Sequence, residues 1–166
     1  MRRLGCHVPA EVEKLLIGIV EDGFTLYCCG PKTAPRALVA CYEWDDCADL
    51  LTVRDFARVL TARVPTQDRT VNPFAPEVVV WAYEGPAQHA LRALLGLVHP
   101  AHPDAPTVGY PAPAGLRVPR ALQRPMTIQP PGPGRAGVRA ARLATTMRTR
   151  SAAASAGPRE RRLVAG

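Results

Sequence analysis

The chain has 166 residues, 47% of them hydrophobic, and a formal net charge of +7 at pH 7. This length allows one domain with a hydrophobic core, or a smaller domain followed by a tail. The five cysteines contain no CxxC pair, which argues against a zinc ribbon or a thioredoxin-like site and favours small buried hydrophobes at Cys28, Cys29 and Cys41.

The first predicted elements are three strands of an antiparallel meander. The apolar run 14–20 is rich in branched residues, and Asp22-Gly23 after it is typical of a tight hairpin turn. The return strand is expected over 24–29. Turn residues fill 30–35, and a third strand is expected over 36–44.

The hydrophobic spacing then changes to that of a helix. Apolar residues recur on one helical face between 52 and 64, with Thr52 as the N-cap and Asp55 as a capping-box acid. The continuous apolar run 77–83 predicts a central strand. A second helix is expected to follow Gly85-Pro86 and to end at Pro100. The inner face of this second helix is predicted to contain Leu91, Leu94, Leu95 and Val98.

These elements predict an α+β domain over residues 10–100 with the order β-β-β-α-β-α. The fourth strand is expected to run parallel to the third, because a helix connects them. Residues 101–134 are predicted as a proline-rich linker, since ten of the eighteen prolines lie between 100 and 133. Residues 135–150 are expected to form a basic helix, and 151–166 a disordered tail.

Seven carboxylates are predicted to lie at one end of this sheet. They are Glu21, Asp22, Glu43, Asp45, Asp46, Asp49 and Glu84. Clustered carboxylates suit Mg²⁺ or Mn²⁺, so a metal-dependent phosphoesterase or nuclease is one hypothesis, with Asp45, Asp46, Asp49 and Glu84 as ligands. The alternative is a solvated connection, because acids before a helix interact well with its dipole.

Two resemblances accompany these patterns. The segments Val78-Val-Val-Trp-Ala-Tyr-Glu-Gly-Pro86 and Leu94-Leu-Gly-Leu-Val-His-Pro100 resemble small proteins of high-GC actinobacteria, which implies a source and no activity. The β-β-β-α-β-α order resembles the ribonuclease-H-like fold, whose nucleases use a carboxylate cluster. Unlike that family, this chain has no Asp within the first predicted strand, at 15–20.

His99-Pro-Ala-His102-Pro-Asp104 is a second metal candidate, because two imidazoles and a carboxylate could supply three ligands. The prolines hold this segment extended, which separates its side chains. No catalytic triad, phosphate-binding glycine loop or dinucleotide fingerprint occurs in the sequence.

The basic charge is concentrated in the last third of the chain. Residues 1–103 have ten Lys and Arg against twelve acids, whereas residues 104–166 have eleven Arg against two acids. Such a segment attracts nucleic acid by counterion release, or an acidic protein. The predicted phosphate contacts are Arg135, Arg139, Arg142, Arg148 and Arg150.

Three other interpretations of the same features remain open. The basic helix could pack on the domain through Leu143 and Met147, or the tail could cover the acidic end and neutralise it. The protein could also contact a partner chain through its sheet edge alone. Arg outnumbers Lys nineteen to two, so codon bias contributes to the charge.

The leading hypothesis is a non-catalytic interaction protein whose basic tail contacts nucleic acid or an acidic partner. The metal-dependent nuclease is the alternative. The longest early apolar run, 15–20, is far shorter than the roughly 20 residues that span a bilayer, so we expect a cytoplasmic protein without a membrane partner.

Overall fold

A computed structural model describes residues 8–66 and 71–155. The α-helices of this part of the chain are α1 (Ala10–Glu21), α2 (Ala87–Leu95) and α3 (Val138–Ser155). The first four strands are β1 (Thr25–Cys29), β2 (Ala37–Glu43), β3 (Cys47–Asp55) and β4 (Arg58–Pro65). The later strands are β5 (Val78–Val79), β6 (Trp81–Gly85), β7 (Tyr110–Pro111) and β8 (Met126–Gln129). Two short 3-10 helices cover Ala114–Leu116 and Arg120–Leu122.

Six strands form one sheet in the order β6-β4-β3-β2-β1-β8, and every neighbouring pair is antiparallel. Strands β5 and β7 form a separate antiparallel pair. The predicted α+β class is confirmed. The predicted parallel fourth strand is wrong, because β6 in that segment pairs antiparallel with β4.

Helix α1 occupies the segment where the sequence predicts the first strand, so that prediction is wrong. Val12 and Ile19 are buried on its inner face, and Leu15 and Leu16 pack against the same core. The run 15–20 is apolar at nearly every position, so it shows no period by itself. The helical spacing becomes visible only when Val12 is included.

Asp22-Gly23 ends α1 instead of forming a hairpin. Gly23 has φ +94°, and its N–H donates to the carbonyl of Val20 at 3.1 Å. A left-handed glycine after the last helical turn is a common helix C-terminus. Asp-Gly predicts a turn after a strand as well as after a helix. Because the preceding element here is the helix α1, the turn is a helix C-terminus and not a hairpin.

The segment 52–64 forms most of a β-hairpin, so the predicted helix there is also wrong. Strands β3 and β4 pair from Cys47 opposite Pro65 to Asp55 opposite Arg58. Both strands are buried on both faces, and the buried positions include the polar residues Thr52, Thr61 and Arg63, so apolar and polar residues do not alternate regularly and the apolar ones satisfy helical spacing by coincidence. Asp55 is a turn residue and not a helix cap, since its Oδ1 accepts the N–H of Ala57 at 2.9 Å.

Other elements follow the sequence prediction closely. Strands β1 and β2 lie within the second and third predicted strands. Helix α2 begins after Pro86 and buries Leu91 and Leu94 as expected, although it ends at Leu95 rather than at Pro100. The resemblance to the ribonuclease-H-like fold loses its basis, because the chain begins α-β-β-β-β.

The segment 101–134 belongs to the fold and is not only a linker. Strand β8 pairs with β1 over four residues. Leu116 and Val118 are buried, and the Val118 N–H donates to the carbonyl of Phe74 at 2.7 Å. Proline has a fixed φ and no N–H, so proline-rich chain suits edge strands and turns of this kind.

The two faces of the sheet are covered differently. Helices α1 and α2 cover one face, where Ile19, Phe24 and Leu91 are buried in one cluster. Irregular chain covers the other face, where Leu116 packs with Leu50.

The predicted basic helix exists as α3 and extends to Ser155. The tail predicted as disordered is therefore helical over 151–155, and its remaining residues, 156–166, lie outside the described chain. Over residues 8–66 and 71–155, no helix is long and apolar enough to span a membrane.

Candidate functional site

Asp49 on β3 is a fully buried carboxylate at the centre of a charged cluster. Arg63 Nε donates to its Oδ1 at 2.7 Å and Arg63 Nη2 to its Oδ2 at 3.0 Å, which is a bidentate contact. Trp44 Nε1 and Arg139 Nε also donate to Oδ2, each at 3.0 Å. Asp49 and Arg63 meet because they are opposite partners in the β3–β4 register.

Asp22, the residue after α1, is the second carboxylate of the cluster. Its Oδ2 accepts a hydrogen bond from Arg139 Nη1 at 3.0 Å, and its Oδ1 accepts one from Arg142 Nε at 2.9 Å. The planar guanidinium of Arg139 therefore bridges two carboxylates from different elements, which a lysine could not do in the same geometry. We call Asp22, Asp49, Arg63, Arg139 and Arg142 the ion network.

The ion network has three guanidinium groups and two carboxylates, so it has one excess positive charge. Arg139 is fully buried, whereas the side chain of Arg142 is 42% exposed. Arg139 Nη2 donates to Leu94 O at 2.8 Å, and Arg142 Nη2 donates to Leu95 O at 3.1 Å. These two carbonyls end α2, so the arginines neutralise the negative end of that helix.

The ion network attaches α3 to the rest of the molecule. The Arg139 N–H donates to Asp22 O at 3.1 Å, the Ala140 N–H donates to Tyr42 Oη at 3.2 Å, and Leu143 is buried. Helix α3 therefore packs on the domain through Leu143, and its arginines neutralise Asp22 and Asp49, two of the seven carboxylates predicted at one end of the sheet. The role of the ion network is therefore to hold α3 in place.

The four predicted metal ligands do not converge. Asp49 is occupied by two arginines, and Asp45 and Asp46 are exposed in the β2–β3 turn. Glu84 pairs with Arg58 near the opposite end of the sheet, so its predicted place beside the others is wrong. Among the described residues, no group of three His, Cys, Asp or Glu could hold a metal ion. The arrangement therefore gives no support to an Mg²⁺ or Mn²⁺ site.

The five predicted phosphate contacts divide into two groups. Arg139 is fully buried, so its assignment to a nucleic-acid surface is wrong. Arg142 is partly exposed but is paired with Asp22. Arg135, Arg148 and Arg150 are exposed. Sequence spacing places Arg135, Arg139 and Arg142 on one helical stripe, but α3 begins at Val138, so Arg135 precedes the helix and only Arg139 and Arg142 belong to the ion network.

The histidine candidate has the wrong hydrogen bonds for a metal site. His99 Nδ1 accepts the Ala101 N–H at 3.0 Å, and His102 Nδ1 accepts the Asp104 N–H at 3.0 Å. A metal-bound imidazole donates through its other ring nitrogen, whereas both of these rings accept there. These residues do not form a cation site in this arrangement.

The described cysteines are buried or half-buried thiols with suppressed reactivity. Burial raises the pKa of Cys41 to about 12, and nearby Glu43 adds to the effect. Burial also raises the pKa of Cys47 to about 12, against the opposing effect of Arg63. A thiol that stays protonated is a poor nucleophile, so neither residue supplies one at neutral pH.

Sequence reasoning missed Arg63 and Trp44 as members of this site, and it placed Asp22 among the carboxylates at one end of the sheet without assigning it a partner. Arg63 lies inside the apolar run 59–64, and a charge in such a strand needs a buried partner. That was an available signal. That partner, Asp49, is 14 residues earlier on the adjacent strand, and the predicted helix over 52–64 concealed the pairing. The second arginine, Arg139, could not be identified because it is 90 residues from Asp49 in the chain.

Comparisons with protein-family models, with curated proteins and with solved structures gave no match to this chain. Its function must therefore be argued from its own geometry and charge.

Proposed function

We propose that the protein is a non-catalytic binding protein that contacts nucleic acid through exposed arginines of residues 104–155. Support comes from one observation: six arginines of this stretch are exposed and lie outside the ion network, against the single acid Asp104. These arginines are Arg117, Arg120, Arg124, Arg135, Arg148 and Arg150.

Nucleic acid fits this surface better than an acidic protein does. The arginines occur in several segments, from the 3-10 helices to α3, and not in one local patch, so a partner whose charge extends over a long surface suits them better. Guanidinium groups bind phosphates in bidentate fashion and position a duplex without reading its sequence. Tyr110 is the one aromatic residue in the stretch, so base stacking on single strands contributes little. We therefore propose duplex binding without sequence preference.

The ion network contributes by preorganising this surface. Arg148 and Arg150 are on α3, which Arg139 and Arg142 attach to the end of α2. Binding then does not have to order a flexible arm, and the entropic cost of association is lower.

Fluorescence anisotropy with a labelled DNA duplex and a labelled RNA duplex tests this proposal. The test variant combines Arg117→Gln, Arg124→Gln and Arg148→Gln. The matched control combines Lys14→Gln, Lys32→Gln and Arg36→Gln, which removes the same charge from exposed positions outside the stretch and avoids the ion pairs of Arg58 and Arg92. We expect the test variant to reduce the slope of log K against log salt by about 0.9 for each phosphate that the protein no longer neutralises, and the control to change it little.

Absence of duplex binding at low salt would refute the proposal, and so would equal reductions of affinity in the two variants. Binding of polyglutamate without binding of either duplex would instead indicate an acidic protein partner. Deletion of the tail is unsuitable as a test, because it removes Arg139 and leaves Asp22 and Asp49 short of a partner.

A further inference from the structure

A small pocket of about 120 Å³ lies between α3 and the loop that follows α2. Its polar lining comes from His99, His102, Thr146 and Arg150, and Leu143 and Met147 supply apolar walls. The volume admits a few water molecules or one tetrahedral oxyanion, and it is too small for a nucleoside.

Both imidazoles are in the tautomer that donates a hydrogen bond from Nε2. A ring nitrogen that accepts a hydrogen bond has no proton of its own, and Nδ1 accepts a backbone N–H in both His99 and His102. The proton of each neutral ring is therefore on Nε2. The Nε2–H of each ring is therefore a hydrogen-bond donor that suits an anion.

Both histidines and the opposite wall are held in place by other contacts. The His99 ring meets the Trp44 ring edge-on, with centroids 4.9 Å apart, and Trp44 Nε1 donates to Asp49. Thr146 and Arg150 approach from α3, which Arg139 anchors. Donors that are fixed before binding cost less free energy to use.

The surrounding charge favours an anion. The ion network has its excess positive charge at the end of α2, beside Gly96, which also lines the pocket. The last carbonyls of α2 are already occupied by Arg139 and Arg142, so they do not repel a negative ligand. The carboxylate nearest to the histidine pair is Asp104, 3.7 Å from His102 Nδ1 and 85% exposed.

We infer that this pocket binds a phosphate group, held by the imidazole Nε2–H groups of His99 and His102 and by the guanidinium of Arg150. The group could be free inorganic phosphate or the terminal phosphate of a nucleic acid strand. Binding of a terminal phosphate rests on the proposed function, because it requires the protein to bind nucleic acid. Binding of free inorganic phosphate does not require it.

Two measurements test the inference and separate its sources. In the first, anisotropy compares duplexes with a 5′-phosphate and with a 5′-hydroxyl on a short overhang. In the second, inorganic phosphate is titrated while the imidazole Hε1 resonances are followed by NMR. The variants are His99→Phe, which keeps an aromatic ring against Trp44, and Arg150→Met. His89→Phe on the exposed face of α2 is the control.

For a terminal phosphate, we expect the 5′-phosphate to raise the affinity of the wild-type protein about tenfold or more, as charge-assisted hydrogen bonds do. His99→Phe and Arg150→Met should remove that gain, and His89→Phe should keep it. For free phosphate, the resonances of His99 and His102 should shift at millimolar phosphate, even if no duplex binds.

The outcomes distinguish this inference from the proposed function. Equal affinity for the two duplexes, together with unmoved His99 and His102 resonances, would overturn the inference and leave duplex binding intact. Failure to bind any duplex, with clear phosphate shifts, would refute the proposed function and support a free-phosphate site. A 5′-phosphate gain that survives both His99→Phe and Arg150→Met would also overturn the inference, because the phosphate would then bind elsewhere.

Discussion

Asp49→Asn is expected to be one of the most destabilising single substitutions in this chain. Asparagine has nearly the same shape, but it has no charge and its NH₂ cannot accept the bonds that Oδ1 or Oδ2 accepts. Arg139 would keep Asp22 as an ionic partner. Arg63, whose side chain is 1% exposed, would have no carboxylate partner and would keep only neutral acceptors, the amide oxygen of the new Asn and the carbonyl of Val98 at 2.8 Å.

The expected cost follows from that uncompensated charge. Removal of one partner from a buried ion pair costs about 3–5 kcal/mol, and we expect this range because Arg63 has no second carboxylate. With a urea m value of about 2 kcal/mol/M, the unfolding midpoint should fall by about 1.5–2.5 M. Total stability of a domain is about 5–15 kcal/mol, so the variant could be close to unfolding at 37 °C.

Urea unfolding followed by far-UV circular dichroism measures this shift. The matched control is Asp45→Asn, the same substitution at an exposed position four residues earlier. Surface substitutions of this kind change stability by about 0.5 kcal/mol or less. If Asp49→Asn shifts the midpoint no more than Asp45→Asn does, the ion network does not stabilise the fold and does not hold α3 in place.

Three other predictions concern thiols and a glycine. Because burial raises the pKa of Cys41 and Cys47 to about 12, iodoacetamide at pH 8 should label Cys28 faster than either of them. Mass spectrometry measures the labelling, and urea should remove the difference. Equal labelling of the three thiols in the native protein would contradict the burial of Cys41 and Cys47. The same raised pKa values should make the free energy of unfolding fall as the pH rises from about 9 to about 12, because the thiols of the unfolded chain ionise in that range while those of the folded chain stay protonated. A urea midpoint that stays constant over this pH range would be inconsistent with the raised pKa values. Gly23→Ala should destabilise the protein by more than about 1 kcal/mol, because Gly23 has φ +94° and an added Cβ would lie 2.0 Å from a backbone carbonyl oxygen of the segment before α3. Gly137→Ala is its control, since nothing lies within 4 Å of a Cβ at that position, and equal urea midpoints for the two variants would contradict the close approach.

Local sequence signals determined several elements correctly. The strands over 24–29 and 36–44 were predictable because turn residues bound each apolar run, and the helix after Pro86 was predictable because its apolar residues lie on one face. The errors fall where the apolar residues follow no single period. In 14–20 and in 52–64, helical and strand spacing fit equally well, and only the neighbouring elements decide between them.

By itself, the sequence determined the α+β class, the concentration of arginine after residue 104 and the presence of a basic helix near 135–150. It could not determine which charges are buried together. Asp22, Asp49 and Arg139 come from three distant segments, and only the packing of α3 beside the end of α2 brings them within hydrogen-bond distance. The same charged side chain holds elements together when it is buried with a partner in a low dielectric, and it is available to a ligand when it faces solvent. Burial in the tertiary structure decides between the two. Arg139 and Arg148 have the same side chain on the same helix, yet the first is buried between two carboxylates and the second faces solvent.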